Sequence, residues 1–177
     1  MTEDELTAAV LANAGRLRRF AAHLCGDFAT AEDLVQDGLM RALISRKDLR
    51  DSRLVLPWLF SIVRNVFFTE RRRLEHRGNI VETKLSLVEA ATGNLEAEIV
   101  ERGFSDEVLR ALTALPEEQR TAIMLCDVEG LSYEEISEAM ACPMGTVRSR
   151  IARGRAQLLS ALARPTSARE AGPGVHP

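Results

Sequence analysis

One tryptophan, one tyrosine and six phenylalanines are all the aromatic residues in 177, and proline (six) and glycine (eleven) are also scarce. So little proline and glycine excludes collagen-like and low-complexity chains, and 46% hydrophobic residues are enough for one ordinary domain or two small ones. Long apolar runs are missing too: no stretch reaches about 18 residues, and the start lacks a basic segment leading into an apolar run. Neither a signal peptide nor a membrane span is expected, which predicts a cytoplasmic protein without membrane insertion. Cys25, Cys126 and Cys142 are odd in number, far apart and without CxxC spacing, so they form neither a disulfide framework nor a zinc pattern. They read as small buried apolar residues. His23, His76 and His176 are scattered, with no carboxylate or cysteine at ligand spacing, so no metal and no other cofactor is expected. Nucleophile–base pairings, glycine-rich phosphate loops and paired acids placed for chemistry are absent, which predicts a protein that is not an enzyme.

Charge is plentiful but segregated. The net charge of -3 hides an acidic run, Asp27, Glu32, Asp33 and Asp37, and a segment from Ala139 to Ala168 whose charges, Arg148, Arg150, Arg153, Arg155 and Arg164, are all basic. A second basic cluster, Arg64, Arg71, Arg72, Arg73 and Arg77, is partly offset by Glu70 and Glu75. Such patches imply at least two kinds of partner surface, with plain solvated helix faces as the alternative.

The periodicity is helical nearly throughout. Val35, Leu39, Ala42 and Leu43 make one apolar stripe, and the Thr30 to Asp33 spacing predicts a cap at the start of their helix. The opposite face carries Glu32, Asp33, Gln36, Asp37 and Arg41. After a polar stretch from Ser45 to Arg53, Pro57 precedes a helix expected from Trp58 to about Leu74, with Leu59, Ile62, Val63 and Val66 as its apolar side. Trp58 beside Leu59 and Ile62 reads as a core residue, with an exposed wedge as the alternative. The acidic, weakly patterned residues 79–103 predict a flexible linker that divides the chain into domains at 1–78 and 104–163, with a disordered tail at 164–177. About 25 extended residues reach about 80 Å, more than two turns of B-DNA at about 34 Å each.

In the second domain, Ser132 and Glu135 form a capping box, and Leu131 and Ile136 a hydrophobic staple, for a short helix from Tyr133 to Met140. Pro143, tolerated in a first turn because its missing amide would be unpaired there, begins a longer helix to about Ala163. This is a helix-turn-helix. Val147, Ile151, Gly154 and Leu158 share its inner side, and Arg148, Ser149, Ala152, Arg153 and Ala156 its outer side. Arg150 and Arg155 lie on the flanks, where a recognition helix meets phosphates while the N-terminal half of the outer face meets base edges. A structural hairpin with a solvated basic face is the alternative.

The segment LPEEQRTAIMLCDVEGLSYEEISEAMACPMGTVRSRIARGRAQL, Leu115 to Leu158, resembles the C-terminal domain of extracytoplasmic-function (ECF) sigma factors of the sigma-70 family. GDFATAEDLVQDGLMRAL, Gly26 to Leu43, resembles that family's polymerase-docking helix, and PWLFSIVRNVFFTERRR, Pro57 to Arg73, its promoter-melting segment. The resemblance implies an all-α fold of two small helical domains, region 2 and region 4, joined by a flexible linker. It also implies an alternative transcription initiation factor of the kind used in stress responses. Asp33, Gln36, Asp37 and Arg41 would dock on the clamp of the largest catalytic subunit of core RNA polymerase, with a further contact on the flap of the second-largest. Leu49, Arg50 and Asn65 would hold an extruded base of the unpaired minus-10 element, with Arg71, Arg72 and Arg73 on its backbone. Gly145, Thr146, Arg148, Ser149, Ala152 and Arg153 would read the minus-35 element of promoter DNA, flanked by Arg150 and Arg155. An anti-sigma factor is the expected regulatory partner. The sequence departs from the family at Ala141, where many members have glycine in the turn, and at Thr69, where an acidic residue is frequent. The rival readings are a sigma-like decoy that sequesters an anti-sigma factor, and an ordinary helix-turn-helix regulator.

Overall fold

The computed structural model describes residues 2–26, 28–49, 51–76 and 106–163, and among these every regular element is helical. The linker expected at 79–103 and the tail expected at 164–177 lie outside them.

Helix α1 spans Glu3–Cys25 and opens with a capping box in which Thr2 and Glu5 exchange side-chain and backbone hydrogen bonds. Both bonds hold the Glu5 carboxyl below the usual carboxylate range. Gly26 ends the helix in the left-handed conformation, φ 85°, at little cost because it has no Cβ. Helix α2, Phe28–Ser45, starts two residues before the expected cap, so Thr30 stands inside the first turn instead of preceding it. Amides of a first turn have no intrahelical acceptors, and a short polar residue suits that turn as well as the cap. A single 3-10 turn, Ser52–Leu54, capped by the Asp51 carboxylate, leads into helix α3, Val55–His76. That helix starts three residues before Trp58 and takes Pro57 into its first turn.

The three helices pack on one another around Leu6, Leu17, Phe20, Leu34, Leu59, Phe60, Val63 and Val66. Phe20 and Phe60 meet edge to face with centroids 4.9 Å apart. Helix α2 approaches α3 closely at Gly38, where a Cβ would stand 3.0 Å from Val63 Cγ2. The predicted stripes are the packed ones: Val35 and Ala42 are buried, Leu39 and Leu43 partly so, and Leu59, Val63 and Val66 are fully enclosed. Trp58 is half-buried against this core.

In the second domain, α4 covers Asp106–Thr113 and α5 covers Glu117–Ile123, the latter continuing as a π turn over Met124–Val128. Helix α6, Tyr133–Met140, has the predicted capping box between Ser132 and Glu135, and the staple residues Leu131 and Ile136 are both buried. Helix α7, Met144–Leu162, begins one residue after Pro143, which serves as its cap. Val147, Ile151 and Gly154 are buried on its inner side. At Gly154 a Cβ would come within 2.5 Å of Ile123 Cδ1, so glycine permits α5 and α7 to touch.

Between α6 and α7, Ala141 takes φ 48°, ψ 47°, and its amide and that of Cys142 bond back to the Glu138 and Ser137 carbonyls, both at 3.2 Å. These two bonds form a Schellman closure, the arrangement in which a left-handed residue is required. The departure at Ala141 therefore puts an alanine in the one backbone conformation where glycine is favoured.

Far from sitting apart, the two domains pack together. Helix α3 lies against α6, and Leu125, Leu131, Ile136 and Met140 join the same apolar cluster as the N-terminal core.

Candidate nucleic-acid interface and docking face

Three surfaces carry the residues singled out by sequence. On α2, Asp33, Gln36, Asp37 and Arg41 are all exposed and share the face opposite the packed stripe. Met40 and Ile44, 60% and 80% exposed, extend it. Sequence reading passed over both because apolar residues at helical spacing read as core; their exposure is the signal that they meet a partner. A charged face with apolar side chains at its centre suits a protein partner, the apolar atoms supplying burial and the charges orientation.

The second surface runs from the loop before α3 along that helix. Leu49, Asp48, Asp51, Leu54, Trp58 and Ser61 line a cleft of about 290 Å³, with Glu138 of α6 at its rim. The aromatic wall and polar groups suit a planar ring with hydrogen-bonding edges. The Asp51 carboxyl is held below its usual range by hydrogen bonds from the Arg53 side chain and backbone, so it stays anionic there. Asn65 is exposed one turn beyond Ser61, and Thr69 Oγ1 donates to the Asn65 carbonyl at 2.7 Å. Thr69 thereby serves its own helix where an acidic residue was the family's habit. Arg72 and Arg73 are exposed, Arg73 with Glu70 3.6 Å away, whereas Arg71 is paired to Glu117 of α5. Arg50 lies outside the described residues.

The third surface is the outer side of α7. Gly145, Arg148, Ala152 and Arg153 are exposed, and Thr146 and Ser149 are half-buried, Ser149 Oγ donating to the Thr146 carbonyl at 2.9 Å. Two long cations with a small residue between them leave room for a groove floor to approach. The flanking arginines are differently placed from a free phosphate-binding pair. Arg150 lies 3.1 Å from Glu118 Oε2 and donates to Cys142 Sγ, while Arg155 is clamped by both oxygens of Asp127. The Asp127 hydrogen bonds drive the Arg155 pKa further above its already high value.

The cysteine expectation holds only for Cys25. Cys126 and Cys142 are half-exposed, because each sulfur receives an arginine, Arg155 and Arg150, instead of apolar neighbours. Burial, then the adjacent Asp127, raises the Cys126 thiol pKa, so the thiolate is disfavoured.

The residues sequence reading missed most completely join the domains. Arg16 Nε bonds Glu129 Oε2 at 2.8 Å while its Nη2 bonds the Glu129 carbonyl, and Arg19 approaches the same carboxylate at 3.6 Å. Arg64 Nη2 meets Glu118 Oε1 at 2.7 Å, and Arg71 meets Glu117. His23 is buried beside Arg120, and burial followed by that positive charge lowers its pKa to about 3, so it is neutral.

A family model described as Sigma-70 region 2 matches residues 9–77, and one described as Sigma-70, region 4 matches residues 105–158. The ECF RNA polymerase sigma factor EcfG of Rhodopseudomonas palustris is 35% identical over 174 residues, covering 96% of this chain and 91% of that protein. The ECF RNA polymerase sigma factor SigE of Mycolicibacterium smegmatis is 38% identical over 165 residues, 93% of this chain and 63% of that longer one. Among solved structures, the sigma factor RpoE in complex with the anti-sigma factor NepR from Bartonella quintana superposes with a TM-score of 0.66 at 28% identity, over 88% of this chain and 95% of that one. CnrH in complex with the cytosolic domain of CnrY shares the fold, with a TM-score of 0.60 at 24% identity, over 89% and 86% of the two chains.

Proposed function

This chain belongs to the extracytoplasmic-function sigma factors of the sigma-70 family, and from that premise we propose how its surfaces divide the work of an alternative sigma factor. Residues 1–78 form the domain that binds core polymerase and the minus-10 element, 79–103 connect, and 104–163 read the minus-35 element.

The face of α2, with Asp33, Gln36, Asp37 and Arg41 around Met40 and Ile44, takes the clamp of the polymerase's largest subunit. The cleft at Leu49 and Trp58, with Asn65 above it, takes a base extruded from the minus-10 strand, and Arg71, Arg72 and Arg73 hold the strand's backbone. Unstacking that base costs a few kcal/mol, offset by the contacts it makes in the cleft, so melting is binding to the single-stranded state. Arg148 and Arg153, with Gly145, Thr146, Ser149 and Ala152, read base edges in the major groove. Arg150 and Arg155 reach phosphates once their carboxylate partners yield. The protein performs no chemistry of its own, works in the cytoplasm where its polymerase is, and is held in reserve by an anti-sigma factor, as the RpoE relative is seen bound by NepR.

The observation that carries this reading is the exposure of both faces: the acidic face of α2 and the basic outer face of α7 are on the surface of domains whose other faces are packed. Co-elution with purified core polymerase tests the first. The wild-type chain is expected to co-elute, and Asp33→Lys with Asp37→Lys to be lost from the complex while remaining helical. Co-elution of the variant at wild-type strength would move the docking face elsewhere.

A further inference from the structure

The seam between the two domains has one polarity throughout. Each ion pair described across it runs from an arginine of the first domain, Arg16, Arg19, Arg64 or Arg71, to a glutamate of the second, Glu129, Glu118 or Glu117. Arg64 and Arg71 belong to the basic cluster of α3, the helix proposed above to hold the minus-10 strand. Arg64 is held rigidly, its guanidinium 4.6 Å from the Phe68 ring centre and its side chain only 12% exposed. A guanidinium binds a carboxylate and a phosphate through the same charge-assisted, forked hydrogen bonds. Glu118 also draws in Arg150 of α7, and Glu138 stands at the rim of the cleft meant for a base.

We propose that this closed arrangement is a self-masked form, in which Glu117 and Glu118 occupy on Arg71 and Arg64 the places that strand phosphates take in the open form. The inference rests on the reading of α3 as the strand-binding helix. The second domain acts as an internal competitor for single-stranded DNA, and a partner that binds the two domains apart relieves the competition. The seam is suited to parting because it is incompletely satisfied: Arg19 Nε, Arg64 Nε, Arg120 Nε, Gln119 Oε1 and Glu117 Oε1 are buried there without hydrogen-bond partners. The outer face of α7 is not part of the mask, since Arg148 and Arg153 stay exposed.

The test uses the full chain without polymerase and a fluorescent single-stranded oligonucleotide pool of random sequence, because backbone contacts are independent of base sequence. Glu117→Gln, Glu118→Gln and Glu129→Gln together remove the carboxylates of these pairs. The control, Asp4→Asn with Glu107→Gln, removes charge at two exposed positions outside the seam pairs. The triple variant is expected to show a larger radius of gyration by small-angle scattering. If the closed form holds nine-tenths or more of the wild-type population, the triple variant binds the oligonucleotide about tenfold or more tightly. The control is expected to do neither, and adding Arg64→Ala to the triple variant to cancel the gain. Saturating oligonucleotide should also expand the wild-type chain, a measurement that needs no variant to fold. A triple variant that stays compact overturns the latch; one that expands with no gain in binding overturns the strand-binding role of α3 on which the mask depends. Oligonucleotide bound to a wild-type chain that does not expand overturns the masking itself.

Discussion

Replacing Ala141 by glycine should make this protein more stable, although it deletes a methyl group and adds backbone freedom. The left-handed conformation at φ 48°, ψ 47° brings a Cβ close to the following carbonyl, at about 1–2 kcal/mol for an L-residue. Glycine relieves that strain but has more unfolded-state entropy to lose, about 0.5–1 kcal/mol. Ala141 is exposed, so its methyl contributes little burial. The difference is a net gain of about 0.5–1 kcal/mol, which for a cooperative unit of this size raises Tm by about 1–4 °C. Ala141→Val goes the other way by about 1 kcal/mol or more, because a β-branched side chain is worse at positive φ. Thermal unfolding followed by far-UV circular dichroism, with urea midpoints at unchanged m-value as the second measure, checks both. A glycine variant that melts at or below the wild type, with valine melting alongside it, would refute the left-handed closure between α6 and α7.

Arg148→Ala or Arg153→Ala should weaken promoter use by about 1–3 kcal/mol per lost base contact and relax sequence preference in the upstream element, measured on promoter variants at fixed salt; an unchanged preference contradicts the assignment. Arg16→Ala leaves the Glu129 carboxylate, 3% exposed, with only the 3.6 Å approach of Arg19, and should cost about 3 kcal/mol in urea unfolding. His23 sets a pH dependence. Its folded pKa, about 3, lies below the unfolded value near 6.5, so the unfolded chain binds the extra proton and stability is lost as pH falls below about 6.5, by about 1.4 kcal/mol per unit until pH 3 is approached. His23→Gln should flatten that part of the stability profile, and an equally steep slope in the variant would assign the loss to other groups.

The helix-turn-helix could be read in advance because its signals are local. Ser132 and Glu135, Leu131 and Ile136, and Pro143 with Val147 each act within one or two turns, and the folded chain uses them as the spacing implies. Helix starts were less exact for a physical reason. Proline and short polar residues are tolerated anywhere among the unpaired amides of a first turn, so Pro57 and Thr30 mark a turn and not a first residue. The helical wheel of α2 gave the packed stripe correctly yet left Met40 and Ile44 unassigned, since periodicity alone does not tell a core face from a docking face. The seam was invisible. Arg16 and Glu129 are 113 positions apart, Arg64 and Glu118 are 54, and single-sequence patterns carry nothing about pairing at that range. The clamp of Asp127 on Arg155 is of the same kind, which is why an expected phosphate-binding arginine is found already occupied.

The central claim is tested most directly by in vitro transcription with purified core RNA polymerase over a random promoter library, this chain being the only added factor. The account predicts specific initiation and a recoverable two-part motif, whose upstream part changes when Arg148 is replaced by alanine. Folded protein with active core and no initiation would contradict it and point to a sigma-like protein that binds an anti-sigma factor without opening promoters.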